Sequence, residues 1–166
     1  MKGKYLILGS NIGSRAMYLQ TARDKIAENI GPVVRSSSIY KTDPWGYPDQ
    51  APFYNQILQF ETILNAVETL KALLAIEKSI GRIRQGKWKE RIIDIDILYF
   101  EDQIINSEDL TVPHPGIPHR RFVLVPLCEL IPDEIHPVLK VSNANLLKTT
   151  NDILGVEKII NWSENC

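Results

Sequence analysis

The sequence has few of the features that mark secreted, disulfide-stabilised or membrane-spanning proteins. It contains two cysteines in 166 residues, Cys128 within an apolar run and Cys166 at the last position. We therefore expect a buried small side chain and a terminal thiol rather than a disulfide or a metal pair. The longest apolar stretch, residues 122–128, is interrupted by Pro126 and is far shorter than the roughly 20 residues that span a bilayer. Because the first residues also lack a signal-peptide profile, the sequence predicts a cytoplasmic protein.

Charge of neither sign is in excess, and the common phosphate-binding loops are absent. The chain has 19 Lys and Arg against 20 Asp and Glu, a net charge of −1, which argues against a surface given over to nucleic acid or anionic lipid. Residues 9–15 lack the Gly-Lys-Ser/Thr ending of a Walker A motif, and no Gly-x-Gly-x-x-Gly occurs. Any phosphate site must therefore be local and built from side chains and metal.

Hydrophobic periodicity predicts strands and helices that alternate along the chain. Strands are expected at 5–8, 33–41, 53–62, 92–100 and 156–160, and helices at 14–29, 66–80, 120–130 and 143–150. The first six elements follow the β-α-β-β-α-β order of the ferredoxin-like sandwich, an antiparallel sheet backed by two helices. We therefore expect an α+β fold in which residues 1–166 form one domain with extra C-terminal elements.

Several local features complete this prediction. The segment 42–52 is too long for a hairpin turn and carries Trp45 and Tyr47, which favours a functional loop. Apolar and polar residues alternate over 57–61, so that strand is expected to be half-buried. Ser14 is expected to cap the first helix, and His119 and His136 are expected at the surface.

Asp94 and Asp96 are the pair that points most directly to chemistry. They alternate with three isoleucines, so in a strand both carboxylates face one side, with Cα atoms about 6.8 Å apart. Aspartate is disfavoured in strands, and the repulsion must be offset by solvent or by a cation. Carboxylates so placed can hold two divalent ions about 3.5–4 Å apart, the arrangement of two-metal phosphoryl transfer. The alternative is an edge strand with a solvated acidic face.

The segment just before this pair is strongly basic. Residues 82–91 contain five basic side chains and one acid, with Trp88 among them. A solvated basic loop is one interpretation. The other is a site for a metal-bound nucleotide triphosphate, because arginine pairs bidentately with phosphate oxygens and an indole offers a flat stacking face. The position directly before two aspartates favours the second interpretation.

These motifs together resemble the 6-hydroxymethyl-7,8-dihydropterin pyrophosphokinase family of the folate pathway. The similarity runs in one order from about residue 5 to 130 and covers Leu8-Gly9-Ser10-Asn11, the 42–55 loop, residues 82–84 and 88–97, Val112-Pro113-His114 and residues 120–127. The Arg-x-x-Asp-x-Asp core with the downstream Val-Pro-His is its most specific part. The resemblance implies a ferredoxin-like fold and the transfer of pyrophosphate from ATP to the hydroxymethyl group of the dihydropterin, with release of AMP.

The resemblance also implies roles for individual residues. Asp94 and Asp96 would bind two magnesium ions. The triphosphate would be neutralised by Arg82, Arg91, His114 and Arg120, while Arg84 and Trp88 would lie on a mobile loop that closes over ATP. Glu77, Ile97 and Thr111 would line the adenosine pocket. The pterin would lie between Phe53 and Phe122, its edge read by Asn55 and by the backbone of Thr42, Asp43, Pro44 and Trp45, and Asn11 would lie near the transferring group.

Three positions depart from the family pattern, and two other functions compete with this one. Lys89 stands where the family usually has Gly or Ala, Gln85 where some members have a basic residue, and Phe53 where some have tyrosine. A non-catalytic nucleic-acid-binding module is the main alternative, although unpaired aspartates would repel a phosphate backbone. A two-metal phosphohydrolase is the other. We expect no nucleic-acid or membrane partner, and the resemblance implies a monomer.

Overall fold

The computed structural model describes residues 3–83 and 89–159. In chain order its strands and helices are β1 (Lys4–Ser10), α1 (Arg15–Asn29), β2 (Val33–Ser36), β3 (Tyr40–Thr42), β4 (Phe53–Phe60), α2 (Ala66–Ile80), β5 (Asp94–Phe100), β6 (Ile105–Asn106), β7 (Thr111–Val112), α3 (Arg121–Leu130), α4 (Asn143–Thr149) and β8 (Val156–Lys158). A short 3₁₀ turn at Ile117–His119 precedes α3.

The main sheet is antiparallel and has the strand order β5-β1-β4-β3-β8, with β2 also paired to β4. In this register Gly9 of β1 lies opposite Asn55 of β4 on one side and Asp94 of β5 on the other. The end of β1 and the beginnings of β4 and β5 therefore meet at one edge of the sheet. The predicted chemistry-bearing segments converge there.

Helices cover both faces of this sheet. On one face α1 and α2 bury the main core, whose members include Leu6, Leu19, Leu58, Leu73 and Ile95. On the other face α3 and α4 form a second core with Ile57, Leu98, Leu124, Leu127 and Leu146. The predicted α+β ferredoxin-like fold is confirmed. The prediction that β4 is half-buried is wrong, because α3 covers its second face and Ile57 is 0% exposed.

Local sequence signals fix the helix that leads into the site. Asn65 accepts a hydrogen bond from the Glu68 backbone N–H and the Glu68 side chain accepts one from the Asn65 N–H, both at 2.9 Å, which is a capping box at the start of α2. Gly81, at φ 109°, ends the helix in the left-handed region, where glycine is favoured. The predicted helix 66–80 is thus confirmed, and Arg82 follows directly after its end.

Several local expectations need correction. The predicted strand 33–41 is two strands, because the Ser37 hydroxyl accepts the Ile57 N–H in place of the regular backbone pairing. Ser14 lies at the start of α1, yet its side chain makes no capping hydrogen bond within the described ranges. Cys128 is half-buried rather than buried. None of the helices within residues 3–83 and 89–159 is long and apolar enough to cross a membrane.

His136 lies in the interior rather than at the surface, where it was expected. It is 5% exposed, and its ring packs edge-on against Tyr99 at a centroid distance of 5.8 Å. Its Nδ1 accepts the backbone N–H groups of Val138 and Leu139 at 3.3 and 3.2 Å. Burial lowers the pKa of His136, because a charged imidazole would lose both hydration and these hydrogen bonds.

We expect acid to destabilise the protein partly through His136. The unfolded chain binds a proton at this residue near pH 6.5 while the folded chain binds it only at lower pH, so stability is full above pH 6.5 and falls below it. His136→Asn, which keeps an acceptor but does not titrate, should flatten this dependence by up to about 1.4 kcal/mol per pH unit below 6.5. Urea unfolding at several values between pH 7 and 5 measures the effect.

His119→Asn is the matched control, because His119 is exposed and keeps a similar solvent environment on unfolding. Its pH dependence should follow that of the wild type. Parallel wild-type and His136→Asn curves would contradict the prediction.

Candidate active site

Asp94, the first residue of β5, is held by two arginines. Arg82 Nη1 lies 2.5 Å from Asp94 Oδ1, and Arg91 Nη1 lies 2.9 Å from Asp94 Oδ2. Arg82 Nη1 also lies 2.6 Å from Glu77 Oε1. The two oxygens of Asp94 are therefore each compensated by a cation, and both guanidinium groups stand where an incoming anion could reach them.

Glu77 holds Arg82 and the start of β5 in place. It is 3% exposed on the last turn of α2, and its carboxylate accepts the Ile95 backbone N–H at 2.7 Å. Through Arg82 and Ile95 it connects the end of α2 to the beginning of β5. The contacts of its carboxylate give Glu77 a positioning role for Arg82, besides the adenosine-pocket role implied by the resemblance.

Asp96 lies on the same side of β5 as Asp94. Ile95 and Ile97 are buried in the main core while both aspartates remain partly accessible, which confirms the predicted alternation. Burial first, and then the charges of Asp94 and Glu77, raise the pKa of Asp96 to about 7 against the lowering effect of Arg82 and Arg91. In the protein without a cation the site therefore disfavours a charge on Asp96, and a bound cation would favour the charged form.

His114 and Arg120 approach the aspartates from the turn before α3. The Gly116 backbone N–H donates to His114 Nδ1 at 2.9 Å, which leaves Nε2 as the nitrogen that carries the proton. Burial and the neighbouring Arg120 lower the pKa of His114 to about 4. In this arrangement His114 offers an anion a hydrogen bond from a neutral ring rather than a positive charge.

Arginines stand beside the aromatic rings that the resemblance assigns to the pterin. The Arg120 guanidinium lies 4.4 Å from the Trp45 ring and 5.9 Å from the Phe122 ring. Arg91 lies 5.4 Å from the Phe53 ring. The predicted triphosphate residues and the predicted acceptor residues are therefore neighbours in one continuous region.

Asn11 connects two of the site segments. It is 3% exposed, and its Nδ2 donates to Gln50 Oε1 at 3.1 Å and to the Ala51 carbonyl at 3.2 Å. Its Oδ1 accepts the Arg91 N–H at 2.8 Å, and its own N–H donates to the Arg91 carbonyl at 3.1 Å. Asn11 thus positions both the 42–52 loop and Arg91.

Asn55 and Thr42 are both buried and join two strands next to this region. The Asn55 Nδ2 donates to Thr42 Oγ1 at 2.6 Å, so the carboxamide has a fixed orientation at the start of the 42–52 loop. At the other end of this loop Arg15 Nη1 donates to the Pro52 carbonyl at 2.7 Å. Sequence reasoning missed Arg15, because a contact across 37 residues leaves no local signal.

The remaining residues that the resemblance assigns to the ATP site are Ile97, Thr111, Arg84 and Trp88. The Ile97 side chain packs in the main core and Thr111 is exposed on β7. Arg84 and Trp88 fall outside the described residues. A cleft of about 690 Å³ opens between the 42–52 loop and residues 81–83 and 89–92, with Ile12, Tyr47 and Lys89 in its lining.

Comparison with known proteins identifies the family. The family model for 7,8-dihydro-6-hydroxymethylpterin-pyrophosphokinase, HPPK, matches residues 5–132. The chain belongs to the HPPK family. It is 45% identical over 127 residues to the 2-amino-4-hydroxy-6-hydroxymethyldihydropteridine pyrophosphokinase of Bacillus subtilis strain 168, with 76% of each chain covered. The Aquifex aeolicus protein of the same name is 39% identical over 136 residues, with coverage of 82% of this chain and 84% of that one.

Solved structures agree on the fold of this HPPK chain. A Plasmodium falciparum HPPK-DHPS triple mutant with pteroate superposes with a TM-score of 0.71 at 20% sequence identity. The match covers 88% of this chain and 42% of the Plasmodium chain. The similarity therefore supports the ferredoxin-like architecture, and this HPPK chain spans less than half of that longer protein.

We expect Asn11→Ala to destabilise the protein by about 1–3 kcal/mol, because it leaves the half-buried Arg91 N–H without its acceptor. Amide exchange at Arg91 should also accelerate. Urea unfolding and hydrogen exchange measure the two effects.

Asn29→Ala serves as the control, since Asn29 is exposed on α1 and its side chain bonds only within its own helix, to the Lys25 carbonyl. It should change stability by less than about 0.5 kcal/mol. An Asn11→Ala cost no larger than that of the control would contradict the positioning role.

Proposed function

We propose that this chain transfers pyrophosphate from ATP to the hydroxymethyl group of 6-hydroxymethyl-7,8-dihydropterin and releases AMP. Membership of the HPPK family carries the pyrophosphokinase activity in folate biosynthesis. The observation that carries the assignment to this site is the meeting of Asp94, its two arginines and the Trp45 and Phe122 rings at one edge of the sheet.

The donor set fits magnesium. Mg²⁺ in nucleotide sites is usually held by one or two carboxylates together with substrate phosphates and water, and Asp94 and Asp96 provide two carboxylates on one face. Residues 3–83 and 89–159 contain no group of three or more His, Cys, Asp or Glu that could hold a metal ion. Bound magnesium would neutralise phosphate charge and acidify the acceptor hydroxyl. The charges of Asp94 and Glu77, which together with burial raise the pKa of Asp96, support this assignment because a bound cation would offset them.

Catalysis in this proposal comes from positioning and charge neutralisation rather than from covalent chemistry. Arg82, Arg91 and Arg120 bind the triphosphate and stabilise the charge that moves onto the leaving AMP. His114 donates a hydrogen bond to a phosphate oxygen. As the acceptor oxygen bonds to the β-phosphorus of ATP, the bond from that phosphorus to the α-phosphate oxygen breaks to release AMP, and the acceptor hydroxyl loses its proton to a carboxylate of the aspartate pair.

The acceptor is held by the rings next to these arginines. Phe53 and Phe122 sandwich the flat pterin, while Asn55 and the backbone of 42–45 read its hydrogen-bonding edge. The bond between Asn55 and Thr42 supports this role, because it fixes the carboxamide before substrate arrives. Arg84 and Trp88 belong to the loop that closes over ATP and excludes water, which would otherwise compete as acceptor.

Two other functions are less well supported. A nucleic-acid-binding module would place Asp94 and Asp96 against a phosphate backbone, which they would repel, and the relatives are named as pyrophosphokinases. A phosphohydrolase needs no organic acceptor site, whereas aromatic rings stand beside Arg91 and Arg120. We also propose that residues 1–166 act as one domain, because the helices on both faces share one sheet, and we retain the expectation of a cytoplasmic monomer from the sequence.

Asp94→Asn and Asp96→Asn should each reduce kcat by about 10³-fold or more, because a lost metal ligand removes several kcal/mol of charge stabilisation. The assay follows AMP in the presence of ATP, magnesium and 6-hydroxymethyl-7,8-dihydropterin. AMP should form only when the pterin is present. Melting temperatures near that of the wild type would show that the variants fold.

Asp109→Asn is the control, since Asp109 is exposed in a turn away from the site and should retain wild-type turnover. Near-full turnover in either site variant would remove the two-metal mechanism. AMP release without pterin would favour the phosphohydrolase instead.

Loop closure should be visible in tryptophan fluorescence. A non-hydrolysable ATP analogue with magnesium should change the emission of the wild type, because the proposed closure would bring Trp88 against the nucleotide. The change should persist in Trp45→Phe and disappear in Trp88→Phe. Unchanged wild-type emission at a saturating analogue concentration would count against closure.

A further inference from the structure

The residues that follow the part of the chain matched by the family model lie beside the candidate site. The family model ends at residue 132, and the described residues continue through α4 to β8, which pairs with β3. In this pairing Val156 lies opposite Thr42, the residue that begins the 42–52 loop. Residues 152–158, which we call the strap, therefore run beside the segment assigned to the pterin.

One end of the strap holds the loop. The Asp43 N–H donates to the Gly155 carbonyl at 3.0 Å, and the Gly155 N–H donates to Asp43 Oδ2 at 2.8 Å. A Cβ at position 155 would lie 2.7 Å from that same Oδ2. Only glycine allows this close approach without a shift of Asp43.

The other end of the strap holds α3. Arg120 precedes the helix and makes no side-chain cap, but Asp152 Oδ2 accepts the Arg121 N–H at 2.7 Å. Asp152 Oδ1 also accepts the Leu154 N–H at 3.0 Å, so the carboxylate is itself held in place. A carboxylate from 31 residues away thus serves as the N-terminal cap, where negative charge is favourable.

These two attachments lie on opposite sides of the acceptor region. Asp152 fixes the first turn of α3, which carries Phe122 and follows Arg120, whereas Gly155 fixes the loop that carries Trp45. The Trp45 ring and the Arg120 guanidinium, 4.4 Å apart, join the same two parts from the site side. The distance between the loop and α3 is therefore set by the four strap residues 152–155.

We propose that Asp152 and Gly155 are positioning residues for the pterin pocket, acting through Asp43 and through the first turn of α3 without touching substrate. This proposal rests on the proposed function, since it assumes that the loop and Phe122 bind the acceptor. The strap sets pocket width before binding, so less ordering is needed when the pterin enters.

Steady-state kinetics test the proposal. Gly155→Ala and Asp152→Ala should each raise the KM for the pterin about tenfold, the equivalent of one hydrogen bond to a charged group, while kcat stays within about twofold. Gly155→Ala should leave the KM for ATP unchanged, whereas Asp152→Ala should raise it as well, because Arg120 adjoins the loosened turn. Asp152→Asn should restore near-wild-type constants, since asparagine caps helices as well as aspartate.

Ser142→Ala controls for loss of stability alone. Ser142 caps α4 by accepting the Asn145 N–H at 3.3 Å, in the same C-terminal region, and among residues 3–83 and 89–159 its side chain makes no hydrogen bond to the loop or to α3. The variant should lower the urea midpoint and leave both KM values unchanged. Equal KM shifts in Ser142→Ala and Asp152→Ala, or pterin KM values within twofold of wild type in both strap variants, would overturn the proposal.

Amide exchange separates this proposal from the reaction itself. In substrate-free protein, Asp152→Ala should accelerate exchange at Arg121 and Gly155→Ala at Asp43, with no change at either in Ser142→Ala. If exchange accelerates in the strap variants but the wild-type protein releases no AMP, the proposed function is rejected, whereas the anchoring of the loop and α3 by the strap is supported. If the wild-type protein is active but exchange is unchanged in both strap variants, the positioning role of Asp152 and Gly155 is rejected and the proposed function is retained.

Discussion

The ion pairs around Asp94 are the interaction on which the site depends. Arg82 is shared between Glu77 at the end of α2 and Asp94 at the start of β5, and Arg91 takes the second oxygen of Asp94. Removing one partner of such a partly buried network leaves an uncompensated charge, which is costly. The same guanidinium groups match phosphate oxygens. A triphosphate that binds here exchanges one set of ion pairs for another and leaves no cation unpaired.

Antiparallel register brings the remaining groups to this point. Gly9 lies between Asn55 and Asp94 across three adjacent strands, so segments distant in sequence begin or end at one edge of the sheet. Asn11 then extends this edge, because its side chain bonds both the 42–52 loop and the Arg91 backbone. The acidic pair and the aromatic loop are thus held by one strand end, and their relative position follows from the pairing of β1 with β4 and β5.

Patterns within one element could be predicted, and contacts between elements could not. Apolar spacing over 66–80 gave the bounds of α2, and alternation around Asp94 gave the face of β5. The exposure of His136 and of the second face of β4 was predicted wrongly. Both are buried by α3, α4 and the turn beside them, and hydrophobic periodicity within one segment carries no information on such contacts. The resemblance supplied site residues. It did not supply the anchors, Arg15 and Asp152, whose partners lie 37 and 31 residues away.

The 42–52 loop is anchored at both ends, while its middle remains exposed beside the cleft. Asp43 is bonded to Gly155 at the start of the loop, and the Ala51 and Pro52 carbonyls are bonded to Asn11 and Arg15 at its end. Between these anchors Tyr47 is 53% exposed beside the cleft. Ordering a residue costs about 1–2 kcal/mol of conformational entropy, and the anchored ends bear that cost during folding. In the proposed function the acceptor would then have to order only the exposed middle of the loop, so more of its contact energy would remain for orientation against the phosphates.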